Sequence, residues 1–323
     1  MKTIKKIGIL TSGGDAPGMN AAIRAVTRSA VSKGIEVAGF YRGFNGLINS
    51  DFVELNLRSV TDIIQRGGTI LYSSRCPAFK TTIGMETAKQ TCIRENIDGI
   101  VVIGGDGSFR GARDLSRLGI PCVAIPGTID NDIACSEYSI GYDTAVNTAM
   151  EMVDKIRDTA QSHDNCNIVE VMGRDSGHIA LATGVACGAT VILLPEIPFD
   201  IEKDVIGRIK FTQKTGKKHF IIVTAEGIEG IEKLKYTIQD EIGIETKHTT
   251  LGHVQRGGSP TVHDREMATK LGHYAVELLC KGIGNRVVAV NDTNIIDYDI
   301  EAALKITKTI DKELYEISKE VNI

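Results

Sequence analysis

The chain has no tryptophan, only 7 prolines and 5% aromatics in 323 residues. No hydrophobic run approaches the ~20 residues that a membrane-crossing helix needs. The amino-terminal MKTIKKIGIL is basic, but its apolar stretch Ile7–Leu10 stops at Thr11-Ser12-Gly13-Gly14. No secretory h-region or cleavage site is therefore expected there. The seven cysteines (76, 92, 122, 135, 166, 187 and 280) are odd in number and never spaced as CxxC. That excludes a disulfide framework or a zinc site and leaves reduced thiols in a cytoplasmic chain. Charge of one sign is also scarce. Lys and Arg number 37 against 41 Asp and Glu, a net charge of −4. This excludes a broad nucleic-acid surface while leaving room for a small basic pocket that holds phosphate. No repeat, low-complexity tract or flexible linker is present.

What the chain has in quantity is glycine, 34 residues, with 42% hydrophobic and 24% charged residues in 34.9 kDa. Collagen is excluded by the low proline, and the length fits about two domains of ~100–200 residues each. Short β-branched runs at Ile7–Leu10, Ile35–Phe40, Gly99–Ile103, Cys122–Ile125, Ile168–Met172, Thr190–Leu194, Phe220–Thr224 and Arg286–Val290 are uninterrupted. Parallel strands covered on both faces have this character. Amphipathic helices lie between them. One repeats Tyr142, Ala145, Val146, Ala149, Met152, Val153 and Ile156; another repeats Met267, Ala268, Leu271, Tyr274, Ala275, Leu278 and Leu279. The alternation predicts an α/β fold of doubly wound, mostly parallel βαβ sheets.

Ligands of such sheets bind where a strand's carboxyl end turns through glycine into a helix. Three turns stand out. Thr11-Ser12-Gly13-Gly14-Asp15-Ala16-Pro17-Gly18 follows the first strand and is either a phosphate-binding turn or an ordinary tight one. Gly104-Gly105-Asp106-Gly107-Ser108 sets a carboxylate among glycines, which suits a hydrated Mg²⁺ bridging phosphates. It is neither GxxxxGK[ST] nor GxGxxG, since Gly105, Gly107 and Gly111 are spaced GxGxxxG. Pro126-Gly127-Thr128-Ile129-Asp130-Asn131-Asp132 offers two carboxylates that can divide base and orienting roles, or cap an Asx-turn. Its place one βαβ unit beyond the GGDG turn favours the functional reading. Val171-Met172-Gly173-Arg174 and Gly252-His253-Val254-Gln255-Arg256-Gly257-Gly258 add a guanidinium and an imidazole among glycines, suited to clamping phosphate or hydroxyls. The other six histidines (163, 178, 219, 248, 263 and 273) have no metal-ligand spacing and read as structural.

In this order, TSGGDAPGMNAAIR, VVIGGDGS, PGTIDND, VEVMGR and GHVQRGGSP resemble the bacterial-type ATP-dependent 6-phosphofructokinases over essentially the whole chain. The resemblance implies two doubly wound domains. A larger ATP-binding domain would comprise residues 1–141 plus about 255–305, and a smaller sugar-phosphate domain about 142–254 plus 306–323. It also implies a cytoplasmic, glycolytic homotetramer with active sites shared between subunits, Mg-ATP as donor and fructose 6-phosphate as acceptor. No nucleic acid and no membrane would be involved. Gly14, Arg75, Cys76, Gly105, Asp106, Gly107 and Ser108 would line the ATP site, with Asp106 on Mg²⁺. Thr128, Ile129 and Asp130 would meet the acceptor's reacting end, Asp130 as general base, supported by Asp132 and by Arg174. Met172, Gly173, Arg174, Glu226, His253, Val254, Gln255 and Arg256 would bind the sugar phosphate. Pyrophosphate-dependent relatives carry Asp and Lys where Gly107 and Gly127 stand, so glycine at both implies ATP.

Two departures matter. The family's two arginines for the 6-phosphate, reaching from a neighbouring subunit, are replaced by Asn165 and Lys247, which predicts weaker acceptor binding. The effector site for ADP or phosphoenolpyruvate is half present: Arg24, Arg28, Arg157 and Lys217 match, whereas Leu57, Arg58, Thr190 and Thr215 do not. A paralogous kinase of another sugar phosphate and a catalytically weak regulatory subunit are the competing expectations.

Overall fold

The computed structural model describes residues 4–322; the first three residues of the amino-terminal segment discussed above lie outside them. The chain divides into two compact units. One runs to Thr144 and resumes over Arg256–Lys308; the other is Ala145–Gln255 with the chain from Thr309 onward.

The first unit is built from β1 (Lys6–Ser12), α1 (Met19–Val31), β2 (Glu36–Phe40), α2 (Phe44–Asn49), β3 (Phe52–Leu55), α3 (Thr82–Arg94), β4 (Gly99–Gly104), α4 (Asp106–Arg117) and β5 (Cys122–Pro126). The long α5 (Tyr142–His163) carries the chain across the division. The second unit continues with β6 (Cys166–Val171), α6 (His178–Ala186), β7 (Val191–Leu193), α7 (Gly207–Gln213), β8 (Phe220–Ala225), α8 (Ile231–Ile242) and β9 (Thr246–Thr250). The first unit resumes with α9 (Val262–Cys280), β10 (Arg286–Asn291), β11 (Asn294–Asp299) and α10 (Ile300–Ala303), and α11 (Lys312–Val321) returns to the second.

The larger sheet has the order β11-β10-β5-β4-β1-β2-β3. Its interior ladders are parallel, and only the outermost pairs, β2 with β3 and β10 with β11, are antiparallel. The strand order reverses between β1 and β4, so the two glycine turns that follow these strands flank a topological switch point. Leu10, Phe40, Ile100, Val102, Phe109 and Leu115 fill one face of this sheet, and Phe44 stacks on Phe79 with centroids 4.2 Å apart. On the other face α1 packs on α9 through small residues: a Cβ on Gly272 would lie 2.8 Å from that of Ala25. The smaller sheet, β7-β8-β6-β9, is parallel throughout around Ile168, Phe220, Ile222, Leu234 and Ile238.

Every strand read from a continuous apolar run exists, with no end shifted by more than two residues. Three strands have no such run: β3, β9 and β11. All three are sheet edges. Both predicted helical stripes lie in helices, α5 and α9, with Ala145, Ala149, Val153 and Ala268, Leu271, Ala275, Leu279 buried.

Candidate functional site

The turn after β1 needs left-handed backbone at Gly13 (φ +90°) and Gly18 (φ +101°), which glycine adopts without the Cβ penalty. It is tied to the turn after β4. Ser108 Oγ donates to the Ser12 carbonyl at 3.0 Å, and a Cβ on Gly104 would meet that same oxygen at 2.4 Å. Ser73 Oγ donates to the Gly13 carbonyl at 2.6 Å. Arg256 donates from Nη1 to the Asp15 carbonyl at 3.1 Å, and any side chain on Gly14 would collide with its guanidinium. Gly107 differs from these packed glycines, because a Cβ there would face open space with nothing within 4 Å. Arg75 is exposed and Cys76 half-buried at the start of the short turn Pro77–Lys80.

Asp106 opens α4, and its carboxylate accepts from Arg110 Nε at 2.9 Å while remaining 44% exposed. Among the described residues no three His, Cys, Asp or Glu side chains form a metal cage. One hard carboxylate at the head of a helix, beside an open glycine, still fits Mg²⁺, which keeps several waters and is commonly shared between one or two carboxylates and substrate phosphates.

The loop after β5 lies next to it because β4 and β5 are neighbours. Gly127 N–H donates to the Gly104 carbonyl at 2.9 Å, and Asp106, Arg110, Asp132 and Ile133 line one cavity of about 160 Å³. Thr128 is buried, with its carbonyl accepting from Ser139 Oγ at 2.5 Å and its hydroxyl accepting from Asp130 N–H at 3.3 Å. Asp130 is 2% exposed, and Asn131 next to it holds φ +50°. The Ile129 side chain is wholly buried, so only its main chain is available to a substrate, a narrower role than its place in the motif suggests.

Two braces of this loop carry no sequence signal. Asp264, fully buried in the first turn of α9, accepts from Tyr138 Oη (2.5 Å), Gly141 N–H (2.6 Å), Thr144 N–H (2.9 Å) and Thr144 Oγ1 (2.5 Å). Burial pushes its carboxyl up, while the hydroxyl and amide donors pull it back. The segment it holds returns to the loop at Ile140, whose N–H donates to the Pro126 carbonyl. Lys308 Nζ donates to the Ser136 and Glu137 carbonyls at 2.9 and 3.4 Å, and burial pushes its ammonium down to about 8. By its local sequence Asp264 looks like any acidic first-turn residue.

In the second unit the ends of β6, β8 and β9 converge because all three run parallel. Glu226, one residue past β8, accepts from Gly173 N–H (3.2 Å) and Arg174 N–H (2.6 Å). This fixes a turn in which Gly173 has φ +148° and Arg174 φ +56°. Left-handed backbone at a non-glycine residue is strain that the surroundings must impose. Gln255 is fully buried. Its Oε1 accepts from Met172 N–H at 3.3 Å and its Nε2 donates to the Gly252 carbonyl at 3.1 Å. Its side chain therefore braces this turn. Val254 is 55% exposed, His253 is exposed, and Met172 is buried.

The phosphofructokinase family model matches residues 6–279. The chain is 54% identical over 320 residues to the ATP-dependent 6-phosphofructokinase of Clostridioides difficile and 50% identical to that of Bacillus velezensis, covering 99% of this chain and all of each relative. The chain belongs to the phosphofructokinase family. Phosphofructokinase from Saccharomyces cerevisiae has the same fold, with TM-score 0.89 and 32% identity over 99% of this chain, which spans 48% of the yeast chain.

Of the two residues expected to stand in place of family arginines, Asn165 turns inward. It is fully buried ahead of β6; its Oδ1 accepts from Asn167 Nδ2 at 2.7 Å, and its own Nδ2 has no hydrogen-bond partner. A side chain turned inward in this way does not offer a donor to a sugar phosphate. Lys247, by contrast, is 48% exposed and lies 3.7 Å from Glu245. Of the effector-type cations, Arg24 and Arg28 sit on α1. In the second unit Arg157 donates to the Cys187 carbonyl and Lys217 donates to Thr190 Oγ1 at 3.5 Å. Burial lowers Lys217, and the Arg157 and Arg208 cations lower it further.

Proposed function

We propose that this member of the phosphofructokinase family transfers the γ-phosphoryl group of Mg-ATP to the 1-hydroxyl of fructose 6-phosphate, the glycolytic reaction that gives fructose 1,6-bisphosphate and ADP. The carrying observation is the pairing of β4 with β5, which joins Asp106 and the Thr128–Asp132 loop at one end of one sheet. The ATP-dependent relatives that match over their full length support the same donor and acceptor.

Phosphoryl transfer asks the protein for alignment and charge neutralisation more than for covalent chemistry. Gly14, Gly105, Gly107 and Ser108 admit the phosphates close to the backbone, with Arg75 and Cys76 along the nucleotide. Asp106 would hold the Mg²⁺, which neutralises charge on the transferred group. Asp130 accepts the proton of the 1-hydroxyl, and Asp132 keeps that carboxylate oriented. Arg174 places positive charge on the developing phosphate. Glu226 fixes the turn that aims Arg174, while His253, Arg256 and Lys247 contribute to the sugar-phosphate end. A homotetramer with shared sites is part of the proposal.

Lys247 in place of an arginine keeps a second reading open, a kinase of a related sugar phosphate. The presence of Asp106, Asp130 and Asp132 speaks against a catalytically weak regulatory subunit. An assay over a panel of sugar phosphates, reading ADP released from ATP and phosphorylated sugar formed when pyrophosphate is the donor, separates these readings. Asp130→Ser is expected to lower kcat by ~10²–10⁴-fold, as for loss of a general base, with the fold intact. A folded variant with near wild-type kcat would overturn the assignment of the base.

A further inference from the structure

His248 on β9 lies between two carboxylates from other elements. Its Nε2 is 2.9 Å from Glu170 Oε2 on β6, and its Nδ1 is 3.0 Å from Glu232 Oε1 in the first turn of α8. The ring is 15% exposed, Glu170 22% and Glu232 63%. A neutral imidazole has one N–H and one lone pair, so it can satisfy only one of these contacts. Both bonds form only in the imidazolium, and both are then charge-assisted. The trio does not form a metal cage.

Each of the three residues adjoins a segment of the acceptor site. Glu170 is two residues before Met172, in the strand that ends at the Gly173–Arg174 turn, and its carbonyl accepts from Leu251 N–H at 2.9 Å. Glu232 begins the helix that follows the loop carrying Glu226, the acceptor for the Gly173 and Arg174 amides. His248 itself is the middle residue of the strand that leads to His253. One ring thus joins three chain segments that the backbone ladder alone links only in part. The charged groups facing it are Glu170 from β6 and Glu232 from α8, the latter also 3.6 Å from Lys235; on β9 itself, Lys247 is paired with Glu245.

We propose that His248 is a positioning residue for the acceptor site, an imidazolium strut that sets the Arg174 turn, the Glu226 loop and the His253 turn against one another. Removing the ring releases both carboxylates and weakens the hold on the sugar phosphate. The inference rests on the assignment of Glu226, Arg174 and His253 to the acceptor. The His248 contact also holds the Glu232 carboxyl below its usual range.

The test uses the full-length enzyme, with kcat and the KM values for fructose 6-phosphate and ATP measured from pH 6 to 9. His248→Ala is expected to raise the acceptor KM about three- to tenfold at pH 6.5, leaving kcat and the ATP KM within about twofold, the size of one lost charge-assisted bond or less. Glu232→Gln, at an exposed position, gives a smaller rise and carries the test if His248→Ala does not fold. An acceptor KM ratio that stays at one, or a kcat and an ATP KM that change as much as the acceptor KM while Tm falls, overturns the proposal. Glu226→Gln separates the two levels of inference. If it raises the acceptor KM while both other variants leave it unchanged, the strut is wrong and the site stands. If it too leaves KM unchanged, the site assignment itself fails.

Discussion

Asp264 offers the sharpest test of how the loop bearing Asp130 is held. Its carboxylate is buried and is the common acceptor for Tyr138 Oη, Gly141 N–H, Thr144 N–H and Thr144 Oγ1. Burial of that charge is itself unfavourable, as its raised pKa records, so the loss on deleting it comes from the donors left behind. The two hydroxyls can rotate toward other acceptors. The two backbone N–H groups cannot, and each stranded buried donor costs about 1–3 kcal/mol. Asp264→Ala should therefore destabilise by about 4 kcal/mol, within the range for breaking a buried charged network. At about 2–4 °C per kcal/mol for a domain of this size, Tm falls by about 8–16 °C. Asp264→Asn retains one acceptor oxygen but turns an amide toward two of the donors, so it recovers only part of the loss. Because the same segment returns to the catalytic loop through Ser139 and Ile140, kcat should drop about 10–100-fold even where the variant is folded. Calorimetry and steady-state kinetics on the same preparations decide the matter. A Tm within 3 °C of wild type, on a scale where about 1 kcal/mol moves it that far, would refute the reasoning.

Three further outcomes are expected. Gly107→Asp places a carboxylate in open space beside the phosphate-binding turn, so Tm is unchanged while the ATP KM rises about tenfold, the effect of ~1.4 kcal/mol of like-charge repulsion; an unchanged KM would remove Gly107 from the nucleotide site. Lys308 has a folded pKa of about 8 against 10.5 unfolded, so the unfolded chain binds the extra proton between those values and wild-type stability rises with pH there. Relative to Lys308→Met, wild type should gain on the order of 2 kcal/mol from pH 8 to 10 in denaturant unfolding, and a constant difference would contradict the burial argument. Asn165→Ala strands the Asn167 amide, so Tm falls by an amount matching about 1–3 kcal/mol while the acceptor KM stays within about twofold; a tenfold higher KM at unchanged Tm would make Asn165 a ligand after all.

The strands legible in the sequence are those buried on both faces. β1, β4, β5 and β8 are interior and carry unbroken apolar runs, and β6 (CNIVEV), also interior, is interrupted only by Asn167 and Glu170. β3 (FVEL), β9 (TKHTT) and β11 (NIIDYD) are edges with exposed or half-exposed residues, so their composition resembles that of loops. β7 is also an edge, yet its three residues Val191–Leu193 are buried, and its apolar run is visible. Burial, then, rather than strand formation is what composition reports. The glycine turns were legible for a related reason. Positive φ and close backbone approach leave few residue types to choose from, so the chemistry of the turn is written locally. Their braces are written at a distance. Asp264 serves donors 120 to 126 residues away in sequence, and His248 reaches Glu170 across 78 residues, so no local spacing distinguishes them from ordinary polar residues.

Asn165 shows the complementary limit. Family position transfers the identity of a residue but not the direction of its side chain, which its neighbours decide. The Asn165 side chain finds its partner two residues along, in Asn167, and is buried. An arginine at this position would present an outward charge, whereas the asparagine makes an internal hydrogen bond, so under the proposed function the acceptor's phosphate is left to groups at the surface. On β9 that is Lys247, a charge on a flexible stem without a guanidinium's fork. A site held by a point charge depends more on how rigidly its backbone turns are placed, because less of the geometry is built into the side chain itself. In this chain the residue next to Lys247 is His248, bonded to both β6 and α8. Under the proposed function, the point charge at Lys247 and the strut at His248 both bear on how a sugar phosphate is held.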